Sequence, residues 1–152
     1  MISKQVLDLE PQFIAWRREL HAVPELSFQE VQTTEFLLKH LRSIPGLTIE
    51  QPTKTGVVAV LRGVHPGRTI ALRADIDALP IQEETDLPFA SKTPGVMHAC
   101  GHDGHAAMQL AAAQILAGER EQLHGEVRFL FQHAEELPPG GAVEMVKAGV
   151  ME

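Results

Sequence analysis

The sequence predicts an α/β layer fold, and three observations predict it. Residues 57–61, 69–74 and 127–131 are short apolar runs bounded by turn residues, with the length and composition of strands. The alanine-rich segment from 106 to 116 has the length of a buried helix and ends at Gly118. In the second half of the chain the two kinds of segment alternate, which is the pattern of helices layered on a sheet.

Phe13, Trp16 and Leu20 recur at helical spacing, with Val6 and Leu9 earlier in the same phase. Pro11 falls inside this pattern. Proline lacks an N–H and suits the first helical position, so the main helix is expected to open there, with residues 3–9 as a separate turn. Ser27-x-x-Glu30 has the form of a capping box. It would open a helix whose face is Val31, Thr34, Leu37, Leu38, Leu41 and Ile44, stopped by Pro45-Gly46. Residues 47–51 alternate as a strand. Pro66-Gly67 suits a tight turn between the runs at 57–61 and 69–74, so these are expected to pair as a hairpin. Residues 77–97 show no periodicity and carry Pro80, Pro88 and Pro94-Gly95. A structureless loop of that length in a compact domain is usually functional. Residues 127–131 read as a buried strand, Pro138-Pro139-Gly140-Gly141 as a loop, and residues 142–148 begin a final helix. There is no internal repeat and no low-complexity segment.

At 152 residues, 44% of them hydrophobic and 22% charged, the chain is one domain's worth of ordinary globular composition. A net charge of -7 gives no basic face for a nucleic acid and no attraction to an anionic membrane surface. No stretch approaches the length of an apolar membrane span. Lys4, Gln5 and Asp8 interrupt the N-terminal apolar residues, so no signal peptide is expected there. The single cysteine cannot form an internal disulfide, and a cytoplasmic location is expected.

The chemistry concentrates in His98-Ala99-Cys100-Gly101-His102-Asp103-Gly104-His105. Thiolate and imidazole are the donors that zinc and similar divalent metals prefer. Glycine lets the backbone turn tightly enough for such groups to converge. Two further polar clusters stand just after strands: Asp75 and Asp77, then Glu135-Glu136. Ligands of open α/β sheets bind beyond the carboxyl ends of strands, so the three clusters are expected to meet. Asp75 and Asp77, two apart, would point the same way as Arg73 in extended backbone. Each would either cap a solvated strand end or orient a metal-bound imidazole. Adjacent carboxylates diverge, so one of Glu135 and Glu136 could hold a metal while the other takes a proton from water. His98 and His105 stand equally as ligands or as supporting groups. His133 could face the same site as a substrate contact. His21 reads as a packed, hydrogen-bonded structural residue, and His40, His65 and His124 as surface residues. A Cys100 nucleophile with His98 or His102 as its base is the competing chemistry, but it leaves the double glutamate without a role.

Four ordered blocks then spell a resemblance. They are Arg17-Arg18-Glu19-Leu20-His21-x-x-Pro24-Glu25-Leu26-Ser27-Phe28-x-Glu30, Leu72-Arg73-Ala74-Asp75-Ile76-Asp77-Ala78-Leu79-Pro80-Ile81-x-Glu83, Met97-His98-Ala99-Cys100-Gly101-His102-Asp103-x-His105 and Phe131-Gln132-His133-Ala134-Glu135-Glu136. Together they resemble the metal-dependent N-acyl-amino-acid amidohydrolases, which include hippurate hydrolase and the indole-acetyl-amino-acid hydrolases and belong with the aminoacylase-like zinc exopeptidases. The resemblance implies Cys100, His102 and Glu136 as metal ligands, the thiolate bridging two ions. It implies Glu135 as general base and later proton donor, and Asp75 as a supporting catalytic carboxylate. Asp77, His98, Asp103 and His105 would stand around the ligands. The implied cofactor is divalent metal, two ions of Zn or Mn in the complete protein, and the implied substrate is a small N-acyl amino acid.

Members of that family are more than twice as long as this chain. The expectation is therefore that residues 1–152 are the N-terminal portion of a single catalytic domain. That portion would be the first half of a three-layer zinc-exopeptidase-like fold, without the lid and dimerisation domain and without two further ligand histidines. A half sheet leaves an apolar edge uncovered, which predicts a homo-oligomer. The alternative to an amidohydrolase is a non-catalytic metal-binding or interaction module made from half an enzyme.

Overall fold

The computed structural model describes residues 3–152. In chain order the elements are α1 (Lys4–Ala22), α2 (Val31–Arg42), β1 (Leu47–Glu50), β2 (Val57–Arg62), β3 (His65–Asp75), α3 (His102–Gly118), β4 (His124–Gln132) and α4 (Gly141–Lys147), with a short 3-10 turn at Arg120–Gln122. The four strands form one sheet in the order β1-β2-β4-β3. β1 and β2 are antiparallel, β2 and β4 are antiparallel, and β3 runs parallel to β4.

Strand alternation gives the sheet two faces. Val57, Ala59 and Leu61 of β2 lie opposite Phe131, Phe129 and Val127 of β4. These six pack with Trp16 and Leu20 of α1, Leu37 and Leu41 of α2, and Ala106, Ala107 and Leu110 of α3 in the main core. The intervening residues Val58, Val60 and Leu130 point the other way, onto Met145 of α4 and Val150. Helices thus cover both faces, and the small α3 alanines allow that helix to lie close to the sheet. No described helix is long and apolar enough to cross a membrane.

Three sequence expectations give way to tertiary context. First, α1 is continuous from Lys4 to Ala22, with Pro11 inside it. The Ser3 hydroxyl caps the helix by accepting from the Val6 amide at 3.4 Å, so the helix opens there rather than at proline. Second, Ser27 and Glu30 do not form a capping box: Glu30 occupies the N-cap position of α2 without a side-chain cap bond. Both side chains turn inward instead. The first turn of α2 is capped by Glu25, whose carboxylate accepts from the amides of Gln32 at 3.0 Å and Thr33 at 2.8 Å. Third, β2 and β3 do not pair, because β4 lies between them. The hairpin partner of β2 is β1.

His65 and His124 are exposed, as expected, but His40 is half-buried. It is wedged between the Trp16 and Phe36 rings, and burial pushes its pKa down. The segment from 77 to 97 carries no helix or strand. It is pinned by backbone bonds between Leu79 and Met97, from Ala78 N–H to Glu25 C=O, and from Lys92 N–H to Ala22 C=O.

Candidate metal centre

The parallel register of β3 and β4 places Asp75 beside Gln132, so both strands release the chain at the same sheet edge. The Ile76 amide donates to the Gln132 carbonyl at 3.0 Å and holds the two exits together. α3 begins at His102, after Gly101 with φ 83, a left-handed conformation that favours glycine. The three polar clusters of the sequence are thereby brought to one place.

Cys100, His102 and Glu136 offer a sulfur, a ring nitrogen and a carboxylate oxygen that all lie within 4.8 Å of one another. Asp75, His102 and His105 form a second such group, sharing His102. His105 is half-exposed, and its ring stacks on His102 with centroids 5.6 Å apart. The His102 ring nitrogen Nδ1 lies 3.0 Å from the Asp77 carbonyl oxygen and 3.1 Å from Asp77 Oδ1. Both are acceptors, so Nδ1 carries the proton and Nε2 remains a lone-pair donor, 3.9 Å from Glu136 Oε1. Burial pushes the His102 pKa down, but Asp77 outweighs it and the net shift is upward.

Asp77 is the junction of the site. Its Oδ2 accepts from the Ser27 hydroxyl at 2.7 Å and from the Glu136 amide at 2.9 Å, while Oδ1 faces His102. Burial alone would raise this carboxyl. The hydrogen bonds from His102, the Glu136 amide and Ser27 prevail and hold it at about 2. β3 ends at Asp75, so Asp77 reaches these partners from the following loop and does not share an extended face with Arg73. Arg73 and Asp75 do meet as an ion pair, and Arg73 Nε also donates to Gln132 at 2.6 Å.

The donor set fits a divalent metal cation. Soft sulfur, imidazole nitrogen and carboxylate oxygen converge, and among the described residues the buried Glu136 Oε1 has no hydrogen-bond partner. The adjacent Glu136 carboxylate raises the Cys100 thiol, although the side chain is exposed. Glu135 is exposed at the same exit.

Other residues singled out in the sequence face elsewhere. Asp103 is buried, and its Oδ2 accepts from Arg17 Nε at 2.8 Å and from His21 Nδ1 at 2.7 Å. His21 also contacts Glu83 through Nε2 at 3.1 Å, so it is the structural histidine its setting suggested. His98 is buried beside this network, 6.4 Å from the His21 ring between centroids, and burial pushes its pKa down to about 4. His133 does not join the site. Its ring contacts Glu144 at 3.0 Å and Thr53 at 3.4 Å, and Ala134, with φ 47, separates it from the glutamate pair. Ser27 and Glu30 are the contributors that sequence reasoning missed. Their capping-box spacing hid them, and the buried partners they serve are distant in sequence.

Comparison with known proteins identifies the family. The sequence profile of peptidase family M20/M25/M40 matches residues 71–152. An N-acyl-L-amino acid amidohydrolase of Geobacillus stearothermophilus is 60% identical over 151 residues, covering 99% of this chain and 41% of that protein. An N-acetylcysteine deacetylase of Bacillus subtilis is 52% identical over 139 residues, covering 91% of this chain and 36% of that protein. Among solved structures, a dinuclear metal binding peptidase of the M20 family from Bacillus subtilis superposes with a TM-score of 0.91 at 49% identity, over 96% of this chain and 41% of that one. The chain thus spans about two-fifths of the length of the relatives it matches.

Proposed function

Because the chain belongs to peptidase family M20/M25/M40, we propose that it is the N-terminal part of a metal-dependent amidohydrolase that cleaves the amide bond of N-acyl amino acids. The observation that carries this reading is the convergence of Cys100, His102 and Glu136 beside the exposed Glu135. The activities of the two relatives named above, an N-acyl-L-amino acid amidohydrolase and an N-acetylcysteine deacetylase, support the substrate class.

In this reading Cys100, His102 and Glu136 hold a divalent cation, with Asp75 and His105 available to a second one that shares the site. When bound, the cation lowers the pKa of water and polarises the amide carbonyl. Asp77 holds the His102 Nδ1 proton and so keeps Nε2 turned toward Glu136. Asp77 also binds the Glu136 amide, which fixes the backbone between the two glutamates. Glu135, directed away from Glu136 by its place in the chain, takes a proton from the attacking water. It then delivers that proton to the leaving amine nitrogen, so the products are a carboxylic acid and a free amino acid.

The test is amino-acid release from N-acetyl and N-benzoyl amino acids, with Mn or Zn added to the purified chain and to Glu135→Ala. The expected result is metal-dependent turnover that falls by about a hundredfold or more in the variant, the magnitude of a lost general base. Metal binding by a folded chain that turns over no substrate would assign the chain a metal-binding role alone. Activity unchanged in Glu135→Ala would remove Glu135 from the mechanism.

A further inference from the structure

The opening block of the sequence, Arg17 to Glu30, supplies none of the converging donors, yet four of its polar side chains, Arg17, His21, Ser27 and Glu30, bond to the segments that do. Arg17 and His21 bind Asp103 in the first turn of α3, and Ser27 binds Asp77. Glu30 goes further. It is 0% exposed, and its Oε1 accepts from the Ala134 amide at 2.7 Å. Ala134 stands immediately before Glu135 and Glu136, and its φ of 47 is a left-handed conformation that a residue with a Cβ adopts only when its surroundings hold it.

We propose that Glu30 is the positioning residue of the metal site, its carboxylate fixing the Ala134 turn that aims Glu135 and Glu136. The proposal rests on the roles assigned to those two glutamates above. Ala134 is held from both sides: its N–H donates to Glu30, and its C=O accepts from Gly141 N–H at 2.9 Å. Gly141 is itself required there, since a Cβ would lie 2.1 Å from the His133 carbonyl oxygen. Two residues on, the Glu136 amide donates to Asp77. The chain from 134 to 136 therefore hangs between two buried carboxylates, Glu30 and Asp77, both of them on segments that precede the site in sequence. Glu30 is a firm anchor because its own backbone starts α2: its carbonyl accepts from the Thr34 amide at 3.0 Å. A buried carboxylate is costly unless it has hydrogen bonds to justify it, and among the described residues the Oε2 of Glu30 has no partner. A residue kept purely for packing at this position would be apolar. The single bond to the turn is what the carboxylate adds.

Two variants separate reach from charge. Glu30→Gln keeps the side-chain length and an acceptor oxygen but removes the charge. Glu30→Asp keeps the charge and withdraws the acceptor by one methylene. In the 152-residue chain, hydrogen exchange of the Ala134 amide reads the turn, and a Co2+ titration followed by the thiolate absorption band reads the site. Glu30→Gln is expected to match the unsubstituted chain in both, within about threefold. Glu30→Asp is expected to speed Ala134 exchange by at least about tenfold and to weaken Co2+ binding by about 10–100-fold, the range for lost supporting groups. The Leu37 and Leu41 amides of α2 should stay protected in it, which separates a local loss from unfolding. Wild-type behaviour of Glu30→Asp, or equal damage in Glu30→Gln, would overturn the proposal. If the unsubstituted chain shows no thiolate band with Co2+ while the exchange pattern holds, the metal-site reading fails and the role of Glu30 in the turn stands.

Discussion

A buried carboxylate in this protein is informative because it must earn its desolvation through specific donors, and two such residues give testable consequences. Asp77 collects a ring N–H, a hydroxyl and a backbone amide. In Asp77→Asn the amide oxygen can satisfy one side, but the NH2 group then confronts donors on the other. Leaving a buried donor unsatisfied costs about 1–3 kcal/mol. The expected outcome is a loss of about 10–100-fold in divalent-metal affinity, measured by competition with a chromophoric chelator, with little change if Asp77 serves folding alone. Glu83 gives a pH dependence. Burial would raise its carboxyl, but the Thr85 hydroxyl, the Ser91 amide and His21 prevail and hold it at about 2, against an ordinary value of 4.5. A depressed folded-state pKa contributes stability that is present above the unfolded value and is lost as pH falls through the folded value. The chain should therefore lose this contribution between about pH 4.5 and pH 2. The Tm difference between the native chain and Glu83→Gln should shrink across the same window. A difference that stays constant with pH would show that the Glu83 charge is not linked to folding.

At the scale of elements, α1 carries a defect that its packing overrides. Proline inside a helix removes one backbone bond and costs about 3 kcal/mol relative to alanine. Trp16 and Leu20 anchor the C-terminal half of α1 in the core, while most residues before Pro11 are exposed. Pro11→Ala should therefore raise stability by about 1–3 kcal/mol in urea unfolding and slow amide exchange in the first two turns, and an unchanged midpoint would mean that those turns fray already. The same helix marks where sequence reading stops. Elements written as local apolar segments, such as α3 and the strands at 57–61 and 127–131, were legible because burial leaves its composition and length in the sequence. Pairing was not, since β2 and β4 meet across a long intervening segment. One signal was present and went unread. β2 is buried at Val57, Val58, Ala59, Val60 and Leu61 without alternation, as a strand flanked and covered on both faces must be. An edge strand of a hairpin would alternate. In the site, the clusters at Asp75 and Asp77, at 98–105 and at Glu135-Glu136 could be picked from residue type and from their places after strands, while the choice of Cys100, His102 and Glu136 within them came from the family resemblance. Ser27 and Glu30 could not, because a local capping pattern explained them equally well.

The whole molecule poses a different question, which is what its open edge does. The strand order leaves β3 at one side of the sheet, 11 residues long, with the backbone groups of its outer side unpaired by any described strand. Its residues Ile70 and Leu72 lie opposite Val127 and Phe129, so they face the same side as the main core, yet they are 58% and 36% exposed. α3 lies against β3, yet it leaves these two side chains uncovered. Long edge strands carrying exposed apolar residues recruit further strands unless charge or a bulge blunts them. Here the register irregularity between His65 and Thr69, with Arg68 beside it, blunts only the first part of the strand. The stretch from Ile70 to Ala74 is straight and regularly paired to β4 on its inner side. At tens of micromolar the 152-residue chain should therefore associate through this edge, in a concentration-dependent way that sedimentation velocity would resolve. Placing lysine at Ile70 and Leu72 sets two charges where a neighbouring strand would have to desolvate them. The doubly substituted chain should sediment as a monomer while its circular dichroism and Tm stay close to those of the parent. If the parent is already monomeric at these concentrations, or if the lysines leave its association unchanged, the edge is not the adhesive surface. The contact would then have to lie on one of the helical faces.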